Sequence, residues 1–365
     1  MKLKNLLLIL FIGSSAFPSK ALETNKLVVH DAIDQILTRH NFQGTVLITR
    51  NEKLVHHKGY GMAVMEWHLP NTPQTKYYVA SLSKTFTATL TMMLVEEGIL
   101  GLDEPINKYL PAYPAEYASR ITIRHLLRHR TGIPRQFTIP GWTAGKSVSS
   151  LTKNEFLSMI AALPLKFEID SARYYSSANY YILGAIIEEI TGEPFSAFLH
   201  KKILKPLNME NTNIYRSGQI VERLAMPYKK VKDEYSFCPP VEGEFCTGSN
   251  INLELFKGSG SMYSTAEDLS IWLQALDGDL LLDETSRGFL LDPDTQACWD
   301  VLVALFRDNA TRRLILADGL LEGYSSLLIK LPKERISIVI LNNTSMAYRE
   351  KAEIGTEIIN LLINN

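Results

Sequence analysis

The chain is 365 residues long, 46% hydrophobic and 21% charged, an ordinary globular composition able to bury one large core or two intertwined lobes. Lys plus Arg number 38 against 39 for Asp plus Glu. With charge nearly balanced and no basic stripe to follow a phosphate backbone, nucleic acid is not an expected partner.

In chain order, Lys2 and Lys4 come first, then an apolar run from Leu6 to Gly13, then small residues. That is the layout of a secretory signal peptide, and Ser19-Lys20-Ala21 supplies a small-x-small cleavage site. The expected division is a signal peptide over 1–21 and one mature domain over 22–365, periplasmic or secreted. The apolar run is too short for the ~20 residues a span requires, and no later stretch qualifies, so no membrane span is expected in the mature chain. Export implies an oxidising compartment. Cys238 and Cys246 flank Pro239, Pro240 and Gly243. Either they close that loop as a disulfide and leave Cys298 unpaired, or all three are reduced thiols.

Thr45 to Thr49 and Leu54 to His57 pattern as two strands around Asn51-Glu52-Lys53. Tyr324 to Leu331 and Ile336 to Leu341 repeat the signal near the C-terminus, followed by a helix over about Ala347 to Leu362. Between these segments the chain is mostly helical. Thr85 to Glu97 is apolar or Thr nearly all round and stops at Gly98, which predicts a buried helix. Thr152 and Glu155 form a capping box, and Ser177 to Thr191 ends at Gly192 with Pro194 beyond. The expected fold class is α/β (α+β). An antiparallel sheet is built from N- and C-terminal segments, about 27–80 and 312–365, and flanked by helices. A mostly helical lobe spans about 81–311, with a cleft where the two meet.

Ser-x-x-Lys occurs twice. Ser150-Leu151-Thr152-Lys153 sits before a helix, and capping explains it. Ser81-Leu82-Ser83-Lys84 opens the most apolar helix of the chain. Ser81 has a plain reading as an N-cap. A cap, however, is better served by Glu or Gln three residues on, and Lys84 sets a cation at the positive helix end. Broken local rules mark functional sites. Positions i and i+3 share a helix face, and a serine hydroxyl needs a base before it attacks. A desolvated lysine can be that base, and backbone N–H groups at the helix start suit a developing oxyanion. Tyr174, Tyr175, Tyr180 and Tyr181 cluster further on, by default as core, alternatively as proton-handling phenols. His125 and His129 are spaced i, i+4, but Leu126 stands where the zinc motif needs Glu. No metal and no cofactor are expected.

Several strings occur together and in order: Gly59-Tyr60-Gly61, Ala80-Ser81-Leu82-Ser83-Lys84, Leu102-Asp103-Glu104-Pro105, Ile123 to Ile133 and Tyr263 to Leu269. They resemble the beta-lactamase-related serine hydrolases: class C beta-lactamases, DD-carboxypeptidases, D-aminopeptidases and certain esterases. The resemblance runs from Phe42 to Asn343. It implies Ser81 as acylated nucleophile, Lys84 as its proton-handling partner and Tyr175, from the family's Tyr-x-Asn motif, as proton relay. Here the Asn position is Ser177, which has a shorter reach and no amide. Asn179, two residues later, points elsewhere on a helix. The third motif, Lys or His then x then Gly, aligns with Ala317-Asp318-Gly319, so the cation that grips a substrate carboxylate is missing. The Leu320 N–H remains to complete an oxyanion hole with that of Ser81. The expected activity is acyl transfer to water from a small-molecule or peptide amide or ester. A true beta-lactamase and a non-catalytic binding protein are the alternatives.

Overall fold

In the computed structural model, residues 19–364 are described apart from 136–137, 140–150, 217, 232–233, 238–252, 296 and 307. Ser150, Cys238, Cys246 and most of the expected signal peptide therefore lie outside the described residues. The first described element, α1 (Ser19–Arg39), packs on the sheet that follows.

The N-terminal hairpin forms where the alternation and turn signals put it. Strands β1 (Gly44–Arg50) and β2 (Lys53–Tyr60) join through Asn51 and Glu52, whose φ values of 52° and 62° are left-handed. Two positive φ values in a two-residue loop match the right-handed twist of the flanking strands, and Asn tolerates that region well. Four further strands complete the sheet: β3 (Asp300–Leu305), β4 (Thr311–Leu321), β5 (Tyr324–Leu331) and β6 (Ile336–Asn342). The order is β3-β4-β5-β6-β1-β2, every pairing antiparallel, so the chain's two ends meet at β6 and β1. The sheet begins at Asp300, ahead of the boundary near 312 suggested by the hydrophobic pattern. Leu302 and Val303 of this edge strand are solvent-exposed, so β3 carries no clean alternation for the pattern to find.

Strands β5 and β6 are buried at every position, because both sheet faces are covered. Val46, Ile48, Leu327, Ile338 and Ile340 pack on one side with α1 and the C-terminal helix. Leu47, Leu328, Val339 and Leu341 face the helical lobe on the other. This explains why these strands read as continuous apolar runs.

In the lobe, α2 (Ser83–Glu96) is buried from Ser83 through Leu94. Its threonines satisfy their hydroxyls on carbonyls of the preceding turn: Thr85 on Leu82, Thr89 on Thr85, Thr91 on Thr87. Phe86 stacks on Trp272 at 4.0 Å between ring centroids. Helix α3 (Lys153–Ala161) opens on the expected Thr152–Glu155 capping box. Helix α4 (Ser177–Thr191) ends at Gly192 with φ 66°. Helix α5 (Ala266–Ala275) packs on β1 and β6, and α6 (Tyr348–Ile363) on β5 beside α1.

Candidate active site

Ser81 caps nothing. It lies in a 3-10 turn, Ala80–Leu82, and α2 starts behind Leu82, whose helical φ and ψ continue the turn without a side-chain cap. Ala80 holds φ 49°, a left-handed conformation that is uncommon for a residue with a Cβ and recurs where the chain is strained for function. Neighbouring elements fix the turn. Val79 N donates to Met262 O, Ser83 Oγ to Ala80 O at 2.7 Å, and Ser326 Oγ of β5 to Val79 O at 3.0 Å. Strand β4 passes so close that a Cβ on Gly319 would lie 2.3 Å from Val79 O. Only glycine allows that approach.

Ser81 Oγ accepts hydrogen bonds from Lys84 Nζ at 3.0 Å and from the Tyr175 hydroxyl at 2.7 Å. Lys84 is 2% exposed. Its second acceptor is Ser259 O at 2.5 Å, and its ammonium lies 5.0 Å from the Tyr175 ring centroid. Serine, lysine and phenol are thus in mutual reach, and the loop geometry places them at the floor of a cleft of about 650 Å³. The nucleophile and two groups able to move its proton are what acyl transfer needs.

The tyrosine cluster divides by environment. Tyr180 and Tyr181 are core residues, and burial holds both phenols far above their ordinary range. Tyr175, half-buried, turns to Ser81. Behind it stands His129, wholly buried, with its ring centroid 4.6 Å from that of Tyr175. Its Nδ1 faces Ser176 N at 3.3 Å and Asn179 Nδ2 at 3.2 Å. Burial, then the Lys84 charge, drives the imidazole well below its usual range, so it is neutral. Asn179 is spent on His129 and Thr131 and does not face the cleft. Ser177 does line it, as do Asp318 and Leu320. Ala317 is 3% exposed and packed with the helical-lobe core.

Several cleft residues escape the sequence reading. Ser259 belongs to Gly258-Ser259-Gly260-Ser261, where a Cβ on Gly258 would lie 2.9 Å from Tyr180 O. That paired-glycine spacing, directly before Tyr263 to Leu269, is the signal for a close backbone approach. Arg135 donates to Tyr175 O at 3.1 Å, with its guanidinium 5.5 Å from that ring centroid. Arg173 and Asp300 line the same wall. Loss of hydration raises the Asp300 carboxyl, and the Arg173 charge opposes that rise. Burial pushes the Cys298 thiol up to about 12, so it stays protonated at neutral pH and is no rival nucleophile.

Known proteins resemble this chain over most of its length. A family model described as Beta-lactamase matches residues 29–360. A penicillin-binding protein of Bacillus subtilis (strain 168) is 29% identical over 320 residues, 84% of this chain and 69% of its own length. The chain spans about two thirds of the length of the first curated relatives it matches. Among solved structures, a penicillin binding protein from Bacillus halodurans aligns with TM-score 0.72 at 25% identity, covering 88% of this chain and 98% of that one. D-amino acid amidase from Ochrobactrum anthropi SV3 aligns with TM-score 0.75 at 22% identity, covering 92% and 99%; at that identity the likeness is one of fold.

Proposed function

The chain belongs to the beta-lactamase family, and from that premise we propose that it is an exported serine hydrolase cleaving an amide or ester through an acyl-enzyme on Ser81. The observation that carries this reading is the shared contact of Lys84 Nζ and the Tyr175 hydroxyl with Ser81 Oγ. Lys84 and Tyr175 act as a coupled pair that takes the Ser81 proton as Oγ attacks the carbonyl carbon. The tetrahedral oxyanion rests on the N–H groups of Ser81 and Leu320. As the intermediate collapses, the pair returns the proton to the leaving nitrogen or oxygen, giving the acyl-Ser81 ester. Water, deprotonated by the same pair, hydrolyses that ester and restores the Ser81 hydroxyl. Export rests on Lys2, Lys4 and the apolar run behind them. No helix among the described residues is long and apolar enough to cross a membrane.

Charge in the cleft favours a neutral acyl donor. Ala317 offers no cation from β4, Arg135 donates its Nε–H to the Tyr175 carbonyl, Lys229 pairs with Glu322, and Arg173 acts on the Asp300 charge. One charge-assisted hydrogen bond is worth about 1.5–3 kcal/mol. The protein should therefore hydrolyse a neutral ester with kcat/KM roughly ten- to hundred-fold above that of the matching free carboxylate. A tenfold preference for the carboxylate would mean that Arg135 or Arg173 supplies the missing contact. Absence of turnover on both would favour a binding protein, the reading suggested by Ser177 and Ala317 at altered motif positions.

A further inference from the structure

The C-terminal helix brings a lysine beneath the catalytic strand. Lys351 of α6 is 0% exposed. Its Nζ donates to Asp318 Oδ1 at 2.6 Å, to Ser326 O at 3.0 Å and to Gly319 O at 3.3 Å. Gly319 and Ser326 are register partners across β4 and β5. One ammonium reaching both carbonyls sits over the gap between the strands, with the Gly319 C=O turned toward it. The described peptides are all trans, and a trans peptide points its N–H opposite to its C=O. The other end of the Gly319–Leu320 peptide is the Leu320 N–H, which therefore points away from β5, out of the free edge of β4. That edge is open there because β3 pairs with β4 only as far as Asp300 with Leu316. Leu320 itself lines the cleft.

We propose that Lys351 is a positioning residue for the oxyanion hole: its ammonium fixes and polarises the Gly319–Leu320 peptide, making the Leu320 N–H a stronger donor to the oxyanion formed at Ser81. This rests on the acyl-enzyme reading given above. Hydrogen bonds in a chain strengthen one another at low dielectric, and a cation at the carbonyl end of an amide draws charge from its N–H. Asp318 moderates the effect by pairing with the same ammonium, which also lets the lysine stay charged away from water. Sequence spacing gives no hint of this, since Lys351 lies in an amphipathic helix where lysines usually face solvent.

The test compares wild type with K351M, K351Q and K351R. The readouts are kcat and KM on a neutral p-nitrophenyl ester, affinity for phenylboronic acid, fluorophosphonate labelling of Ser81, and thermal melting to confirm folding. Deleting a direct oxyanion donor costs about 10²–10³ in kcat, so loss of its polariser is expected to cost about tenfold. In K351M, kcat and boronate affinity should fall together by that factor, with KM unchanged within about twofold. K351Q keeps donors without charge and should fall nearly as far, carrying the comparison should K351M not fold. K351R should recover most of kcat. A folded K351M or K351Q with kcat within about twofold of wild type, or with the loss confined to KM, overturns the proposal. Wild type that fails to label on Ser81 would instead bring down the acyl-enzyme reading, however the Lys351 variants behave.

Discussion

Two polar clusters among the described residues each join a lysine to a tyrosine, and only one of them includes a carboxylate. On the α1 face, Lys58 Nζ donates to Asp34 Oδ2 at 2.5 Å and the Tyr60 hydroxyl to Asp34 Oδ1 at 2.5 Å. His56 Nε2 meets Tyr60 at 2.7 Å, and its Nδ1 meets His30 Nδ1 at 2.5 Å. Ligand-type atoms of His30, Asp34 and His56 lie within 4.8 Å of one another, yet both Asp34 oxygens are already occupied. Burial and then Asp34 hold the Tyr60 phenol far above its ordinary range, so its proton stays. The cluster is a staple between α1 and β2. At Ser81 the direct partners are different. Lys84 makes no ion pair among the described residues, and its acceptors are a hydroxyl and a carbonyl. No carboxylate bonds to Ser81, Lys84 or Tyr175 among the described residues, and all three line the cleft. The residue types are alike; the carboxylate partner differs.

Paired substitutions sharpen that contrast most strongly. Lys84→Met should reduce ester turnover by at least about 10³-fold, as loss of a member of a catalytic unit does, and Tyr175→Phe by about 10²–10⁴-fold. Lys58→Met and Tyr60→Phe should leave kcat/KM within about twofold. Lys58 is partly exposed, so its loss costs under about 1 kcal/mol of stability, whereas Tyr60→Phe costs about 1–3 kcal/mol. Turnover that survives Lys84→Met, or that Tyr60→Phe abolishes, would show that the chemistry does not reside in the Ser81 cluster.

A smaller effect separates the clusters by pH. Burial, and then the neighbouring His30, lowers His56 from its ordinary 6.5 to about 4. As pH falls from 6.5 toward 4 the unfolded chain binds that proton and the folded one does not. The stabilisation is therefore complete above 6.5 and lost through this window, on the order of 3 kcal/mol in all. Urea unfolding at pH 7 and pH 4.5 should show the loss in wild type and a reduced one in His56→Gln. Identical pH dependence in the two proteins would show that His56 is not the titrating group.

What the sequence exposes follows from the range of the interactions. The hairpins, the capping box at Thr152 and the Gly192 stop are local, and local pattern reveals them. Ser81 and Lys84 lie three residues apart, so their contact is legible from helix geometry, whereas Tyr175 is placed by resemblance alone. The edge strand at Asp300 is hidden because exposed Leu302 and Val303 blur its alternation. Ser259 meets Lys84, Arg135 meets Tyr175 and Lys351 meets Gly319 through tertiary packing at sequence separations of 175, 40 and 32, and no periodicity encodes such distances. Asn179 shows the converse. It is close in sequence to a motif position, yet α4 turns it to His129.

In the proposed reaction Ser81 is the nucleophile, activated by Lys84 and Tyr175. Intact-protein mass spectrometry after treatment with an active-site-directed fluorophosphonate tests it directly, with the labelled peptide then mapped. One adduct per chain on Ser81, absent from Ser81→Ala, is the predicted result. An unmodified wild type, or an adduct on Ser150, Ser177 or Cys298 instead, would rule Ser81 out as the nucleophile.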